Sequence, residues 1–148
     1  GAGSRACLLL AGDGPLLGEM KALAASLGLG ERVRFAGHVG DMKPLYSASD
    51  ACVCPSESEA SSYMILEALA SGLPVIATDR GGNGELVNEG SGNGLLVGYG
   101  DAPALRDAML ALCGDSELRL GMGERAMRSV EERFSLDLML DRTFAAYS

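Results

Sequence analysis

Two carboxylates, Glu59 and Glu67, lie in a stretch of the chain that is otherwise almost free of charge. Between Glu59 and Asp79 the only charged residue is Glu67. Ionised carboxylates accept hydrogen bonds and donate none, so they can bind the hydroxyl groups of a sugar or a ribose. The residue types in this stretch therefore favour the recognition of a hydroxylated ligand.

Glu67 is predicted to lie on a helix that runs from Tyr63 to Ala70. The segment is apolar nearly all round, which is typical of a helix packed inside a protein, and Gly72 and Pro74 end it. A buried carboxylate is unfavourable by several kcal/mol unless it is paired or hydrogen-bonded. We therefore expect Glu67 to be buried and to have a partner, which is a ligand, an arginine or a neighbouring loop.

The N-terminus of the same helix is a predicted anion site. Ser61 and Ser62 occupy the positions where an N-cap is expected. A helix that begins near Ser62 would place its N–H groups and the positive end of its dipole beside both carboxylates. The combination predicts a ligand with an anionic part, such as a diphosphate, and a hydroxylated part. A nucleotide sugar has both.

Short apolar runs alternate with helical patterns along the chain. Strands are predicted at Arg5–Gly12, Arg32–Gly37, Asp50–Cys54, Val75–Thr78 and Asn93–Val97. Helices are predicted at Pro15–Leu27, Met42–Ala48, Tyr63–Ala70, Ala102–Leu112, Ser116–Phe134 and Ser135–Tyr147. This alternation predicts an α/β fold with a Rossmann-like parallel sheet flanked by helices, and a first strand that is buried on both faces.

Ligands of such folds bind at the carboxyl ends of the strands, so the loops after Ala11, Phe35, Cys54 and Thr78 are expected to share one rim. Glycines in these loops are candidates for an anion nest, and the pair after Thr78 has the alternative of merely permitting a tight turn. The candidates are Gly12, Gly81 and Gly82. Glu85 is expected to stabilise the first turn of a short helix.

Two further patterns in these loops carry little weight. Gly12, Gly14 and Gly18 approach the dinucleotide fingerprint, but the spacing is wrong and Pro15 interrupts it, so NAD binding is not expected. His38 could contact a base or a phosphate, or it could simply be solvated.

Composition excludes several classes of function. The chain has 148 residues of which 47% are hydrophobic, which suits one domain over 1–148. Its net charge of −8 argues against nucleic-acid binding. It has neither a signal-peptide pattern nor an apolar run long enough to span a bilayer, so we expect no membrane segment. The four cysteines, Cys7, Cys52, Cys54 and Cys113, are predicted to be reduced core thiols of a cytoplasmic protein, and with His38 as the only histidine no metal site is expected.

The central run also resembles a known family. Glu59 and Glu67 are separated by seven residues, preceded by Pro55-Ser56 and followed by Gly81-Gly82-x-x-Glu85. This pattern is similar to the donor-site signature of retaining glycosyltransferases with the GT-B fold, family 4 or group 1. The resemblance implies the C-terminal, donor-binding half of a two-domain enzyme of polysaccharide or glycolipid biosynthesis. That enzyme would transfer a hexose-type sugar from a nucleotide diphosphate sugar, without a metal or another cofactor.

The resemblance assigns roles to individual residues. Glu67 would accept the ribose hydroxyls, and Glu59 would act as the catalytic residue that binds the transferred sugar. The backbone N–H groups of Ser62, Tyr63 and Met64 would face the diphosphate, and Ser61 is a further residue of the donor site. The base would lie beside His38, Val39 and Met42. Many relatives carry Phe-Gly where this chain has Ser61-Ser62.

The resemblance also implies that parts of the enzyme are missing from this chain. Relatives begin the domain with a further strand and helix, whose Arg and Lys neutralise the diphosphate, and have an N-terminal acceptor domain. We therefore expect the chain alone to be inactive, and any association with the inner face of a membrane to depend on the missing domain. The alternatives are a non-catalytic α/β nucleotide-binding or interaction domain, and a GT-B relative that acts as an epimerase or phosphorylase.

Overall fold

The structure is a computed structural model that describes residues 6–57, 62–88 and 90–147. The chain divides into two compact units, Gly1–Met42 and Lys43–Ser148. The single domain expected over 1–148 stays a prediction, and each unit is described by itself.

The first unit is a two-stranded parallel sheet with one α-helix. Its elements are β1 (Leu8–Ala11), α1 (Leu17–Ser26), a 3-10 turn (Gly30–Arg32) and β2 (Val33–Gly37). Leu8 lies opposite Val33 and Leu10 opposite Phe35, and the register shifts between Leu10 and Ala11.

The prediction that β1 is buried on both faces is wrong for this unit. The side chains of Leu8, Leu9 and Leu10 are each 37–40% exposed. Two strands and one helix provide too little surface to enclose a sheet. An apolar run in the sequence indicates that a strand is suited to burial. Whether the strand is buried depends on the helices and strands packed around it.

The second unit continues the alternation of helices and strands. Its elements are α2 (Lys43–Ser47), β3 (Cys52–Cys54), α3 (Tyr63–Ala70), β4 (Val75–Thr78), α4 (Asn83–Leu86), β5 (Gly94–Val97), α5 (Ala102–Gly114), α6 (Ser116–Phe134) and α7 (Leu136–Ala146). The strands form a parallel sheet in the order β3-β4-β5. The predicted α/β class is confirmed, with the five strands divided between two sheets where one was expected.

The core of the second unit lies around the central strand β4. Ile76 is 1% exposed and packs with Val97, Leu112 and Met122. Helix α6 comes so close to the turn after α3 that a Cβ on Gly123 would collide with the carbonyl oxygen of Gly72. Glycine at this position therefore allows α6 to support the segment between α3 and β4.

Helix α3 has the predicted boundaries but not the predicted environment. Ile65, Ala68 and Leu69 are fully buried, whereas Tyr63 is 80% exposed and Glu67 is also exposed. Residues at i, i+3 and i+4 form a single stripe, and this stripe is the face that packs. The expectation that Glu67 is buried was therefore wrong, because apolar residues on the remaining faces of the helix do not enclose it.

The cysteines are only partly in the core. All four are free thiols: Cys54 is buried and Cys52 partly buried, but Cys7 and Cys113 are exposed, so the core assignment was wrong for these two. Burial raises the pKa of Cys52 to about 11, which keeps this thiol protonated and unreactive at neutral pH.

Within residues 6–57, 62–88 and 90–147, no helix combines the length and the apolar character that crossing a bilayer requires.

Candidate functional site

Glu67 has a partner, and the partner is a tyrosine. The Tyr46 hydroxyl on α2 donates a hydrogen bond to Glu67 Oε2 over 3.0 Å. Tyr46 itself is buried, with 6% of its surface exposed. No arginine forms an ion pair with Glu67 in the part of the chain that the structure describes. The carboxylate is therefore held by a buried phenol on the protein side, and Glu67 is otherwise exposed to solvent.

The protonation of Tyr46 suits this arrangement. Burial raises the pKa of the phenol above its ordinary value of about 10, and the hydrogen bond to Glu67 raises it further. The hydroxyl is therefore a donor over the whole physiological pH range. A neutral donor beneath a carboxylate leaves the negative charge of Glu67 available to a ligand.

The N-terminus of α3 has the predicted cap. Ser62 is 3% exposed, has extended backbone angles and accepts a bond from Ile65 N to its side-chain oxygen over 3.4 Å. The carbonyl oxygen of Ser62 accepts from Leu66 N over 3.2 Å. The N–H groups of Tyr63 and Met64 come too early in the helix to have an intrahelical acceptor. Two donors and the positive end of the dipole therefore lie at this terminus.

Glu67 follows Tyr63 by four residues, so its Cα lies about 6 Å further along the helix axis. One short helix thus carries both features that the sequence predicted, an amide terminus and a carboxylate. Their separation is of the order of the distance between a diphosphate and the hydroxyls of the ribose attached to it. Glu59 and Ser61 lie outside the described residues, so their placement at this site stays a prediction.

The loops after β3 and β4 are joined to each other. The buried Thr78 donates a short hydrogen bond to the carbonyl oxygen of Ser56. Ser56 Oγ also lies 3.6 Å from Cys54 Sγ. Because β3 and β4 are parallel neighbours, their loops leave the sheet at the same edge. The shared rim is confirmed for these two loops, and these bonds hold them in place.

Asn83 fixes the loop that follows β4. It is fully buried, and its side-chain amide donates to Thr78 O over 3.0 Å. Its Oδ1 atom has no hydrogen-bond partner among the described residues. The amide thereby holds the end of β4 against the start of α4, the short helix whose first turn contains Glu85 as expected.

Gly81 and Gly82 form a turn. Gly81 has φ +53°, and Asn83 N donates to Arg80 O over 3.2 Å, which closes the turn around both glycines. This geometry agrees with the simpler of the two roles expected for them, and anion binding there stays a prediction. Arg80, a cation at the same edge that sequence reasoning did not single out, lies over the Tyr99 ring at 5.5 Å from its centroid.

The remaining candidates belong to the first unit. His38 is exposed, and Val39 and Met42 are half-buried, in the loop that follows β2. Gly12 has φ +133°, and its N–H donates to Gly37 O over 2.7 Å, so this donor extends the β1–β2 pairing. Contact of His38, Val39 and Met42 with a base, and of Gly12 with an anion, stay predictions.

Tyr46, Thr78 and Asn83 are the residues of this site that sequence reasoning missed. One signal pointed toward Tyr46: Glu67 needed a partner, and a phenol is among the groups that can supply one. The partners expected from the sequence, a ligand, an arginine or a neighbouring loop, did not include it. Thr78 and Asn83 gave no signal, because their bonds join segments that only the fold brings together.

In residues 6–57, 62–88 and 90–147, no group of three or more His, Cys, Asp or Glu side chains could hold a metal ion. The arrangement that remains is one of amide donors, hydroxyls and a carboxylate.

Comparison with known proteins identifies the family. The family profile described as "Glycosyl transferases group 1" matches residues 2–115. N-acetyl-alpha-D-glucosaminyl L-malate synthase of Bacillus anthracis is 36% identical over 140 residues, which are 95% of this chain and 36% of that protein. Lipopolysaccharide core biosynthesis glycosyltransferase LpsE of Rhizobium meliloti (strain 1021) is 36% identical over 134 residues, 90% of this chain and 39% of that protein.

A solved structure gives the same result. HepE of Anabaena, crystallised in complex with UDP, has a TM-score of 0.86 and 25% identity, covering 97% of this chain and 42% of that one. The chain thus spans 36–39% of the length of the two curated relatives. The likeness confirms the GT-B resemblance. By its sequence profile, its relatives and its fold, the chain belongs to the group 1 glycosyl transferases.

Proposed function

We propose that this chain binds the nucleotide diphosphate sugar in a retaining glycosyltransferase, and that the whole protein transfers a hexose-type sugar to a glycan or glycolipid acceptor. The observation that carries the proposal is the solvent-facing carboxylate of Glu67, held by the Tyr46 hydroxyl at 3.0 Å, one turn from the capped N-terminus of α3. A helix terminus can bind an anion, and a carboxylate accepts hydrogen bonds from hydroxyl groups.

The relatives support a nucleotide ligand. HepE has been crystallised with UDP and also with UDP-glucose, the second structure having 26% identity and a TM-score of 0.81 to this chain. Both complexes contain the two ligand parts that the α3 terminus and Glu67 are suited to bind. The base and the sugar used by the present protein need not be those of HepE.

In the proposed donor complex, Glu67 accepts the ribose hydroxyls, and the N–H groups of Tyr63 and Met64 donate to the diphosphate. Glu59 accepts hydrogen bonds from the hydroxyl groups of the transferred sugar. The two N–H groups stabilise the charge that grows on the diphosphate as the bond to the sugar breaks, and one such donor is typically worth about 100- to 1,000-fold in rate. Neither a metal nor a protein carboxylate base is required, because the leaving diphosphate oxygen can take the acceptor proton on the same sugar face.

The remaining proposals concern the whole protein. It would act in the cytoplasm, with an acceptor domain outside this chain and with any contact to the inner face of a membrane made through that domain. The N–H groups of α3 do not replace a cation, so full neutralisation of the diphosphate is assigned to an Arg and a Lys of the whole protein.

Titration of the whole protein with UDP, GDP and ADP tests the role of Glu67. Glu67→Ala should weaken the tightest-binding of the three by about 10-fold or more, because a hydrogen bond to a charged group is lost. Glu131→Ala is the matched control, since Glu131 is an exposed carboxylate on α6 and should leave binding unchanged. Isothermal titration calorimetry gives the dissociation constants. Equal affinities for wild type and Glu67→Ala would contradict the assignment.

A further inference from the structure

We infer that Tyr46 is a positioning residue for the donor: it holds the Glu67 carboxylate in the orientation that accepts a ribose hydroxyl. The inference rests on the proposed function and adds a residue to it. It depends on the hydrogen bond from the Tyr46 hydroxyl to Glu67 Oε2, which joins α2 to α3 over 3.0 Å.

The two partners differ in their freedom to move. The Tyr46 ring is buried, with 6% of the residue exposed, so its hydroxyl has a fixed position. Glu67 is exposed on α3, and a glutamate in water samples many rotamers. A fixed donor restricts a mobile acceptor, so the bond selects one orientation of the carboxylate before any ligand arrives. Binding then loses less side-chain freedom, which is the general advantage of a preorganised site.

The chemistry leaves room for a ligand. A carboxylate has two oxygens and about four acceptor positions, and Tyr46 occupies one of them on Oε2. The remaining positions are free to accept hydrogen bonds, and a carboxylate has none to donate. Glu67 can therefore accept hydrogen bonds from hydroxyl groups, and a vicinal diol such as that of a ribose offers two.

The Tyr46 hydroxyl is also reliably protonated. Burial raises its pKa above the usual value of about 10. A phenolate here would repel the carboxylate instead of holding it. The hydroxyl is therefore available as a hydrogen-bond donor at neutral pH.

A double-mutant cycle in the whole protein tests the inference. The variants are Tyr46→Phe, Glu67→Ala and the double mutant, and the ligands are the tightest-binding of UDP, GDP and ADP and its 2′,3′-dideoxy analogue. Tyr46→Phe should weaken the ribonucleotide about 3- to 10-fold and the dideoxy analogue by less than about 2-fold. In the Glu67→Ala background the same substitution should have no effect, because the carboxylate it positions is absent.

Controls separate positioning from folding. Tyr147→Phe removes a phenol that is 89% exposed and should change neither affinity. Thermal unfolding of Tyr46→Phe reports the structural cost of the lost hydroxyl by itself. Equal weakening of both ligands, or equal weakening with and without Glu67, would overturn the inference while leaving nucleotide binding intact. If wild type bound none of the three nucleotides, the proposed function would fall as well.

Discussion

The two sheets of this protein differ in how much of them is covered. In the first unit, Leu8, Leu9 and Leu10 of β1 are 37–40% exposed, whereas in the second unit Val75, Ile76 and Ala77 of β4 are at most 1% exposed. The strands have similar apolar sequences. The burial of a strand therefore depends on its neighbouring elements, because β4 lies between two strands and has α3 and α5 packed on it.

The difference also affects the loops. At the covered sheet, side-chain bonds from Thr78 and Asn83 fix the ends of the strands. At the exposed sheet, a backbone bond from Gly12 N to Gly37 O continues the strand pairing just beyond β1. A buried strand end allows polar groups to bond without competition from water. The covered sheet is thus the better support for a site that needs fixed geometry.

The largest expected effect comes from removing a core side chain of the covered sheet. Ile76→Ala should lower the free energy of unfolding by about 3–4 kcal/mol, because a cavity opens among Val97, Leu112 and Met122. Leu9→Ala in the exposed sheet should lower it by about 1 kcal/mol or less, since Leu9 is already 40% exposed. Urea unfolding followed by circular dichroism measures both. Equal losses would mean that β1 is enclosed as fully as β4.

A smaller effect is expected from adding a methyl group where the covered sheet is tightest. A Cβ at Gly94 would collide with the backbone carbonyl of Val75, whereas a Cβ at Gly14 would meet nothing within 4 Å. Gly94→Ala should therefore lower the melting temperature, at a cost of about 2 kcal/mol. Gly14→Ala should change the free energy of unfolding by less than about 0.5 kcal/mol. An unchanged melting temperature for Gly94→Ala would show that β5 can shift away from β4.

The smallest effect is confined to alkaline pH. All four tyrosines lie in the second unit, and Tyr46 is the buried one. Its pKa is raised in the folded state, so above about pH 10 the unfolded chain releases this proton first. Stability should therefore fall as the pH rises through that range, and fall less in Tyr46→Phe. Chemical unfolding at neutral and alkaline pH measures the difference. Parallel curves for the two proteins would contradict the raised pKa.

The elements that could be predicted from the sequence are those whose signals are local. Tyr63–Ala70 was predicted to the residue because Ser62 caps its start and Gly72, with φ +77°, follows its end. Val75–Thr78 was predicted because a short apolar run between turn residues is typical of a buried strand. The spacing of Glu59 and Glu67, with Gly81-Gly82-x-x-Glu85 after them, also led to the family that the comparisons confirm.

What could not be predicted depends on contacts between distant residues. The hydroxyl that binds Glu67 comes from a different helix, and 21 residues separate Tyr46 from Glu67. The bond from Thr78 to Ser56 likewise spans 22 residues. β1 is exposed because residues 6–42 provide only β2, α1 and a 3-10 turn around it. Periodicity describes one segment at a time, and none of these features belongs to a single segment.

The hydroxyl of Thr78 restricts how this position can evolve. Valine has the same shape and would suit a buried strand equally well, but it would leave the carbonyl of Ser56 without its donor. Serine would keep the bond and lose only a methyl group. We expect homologous chains that share this loop to alternate between threonine and serine here, and frequent valine in an alignment would show that the loop is held by other means.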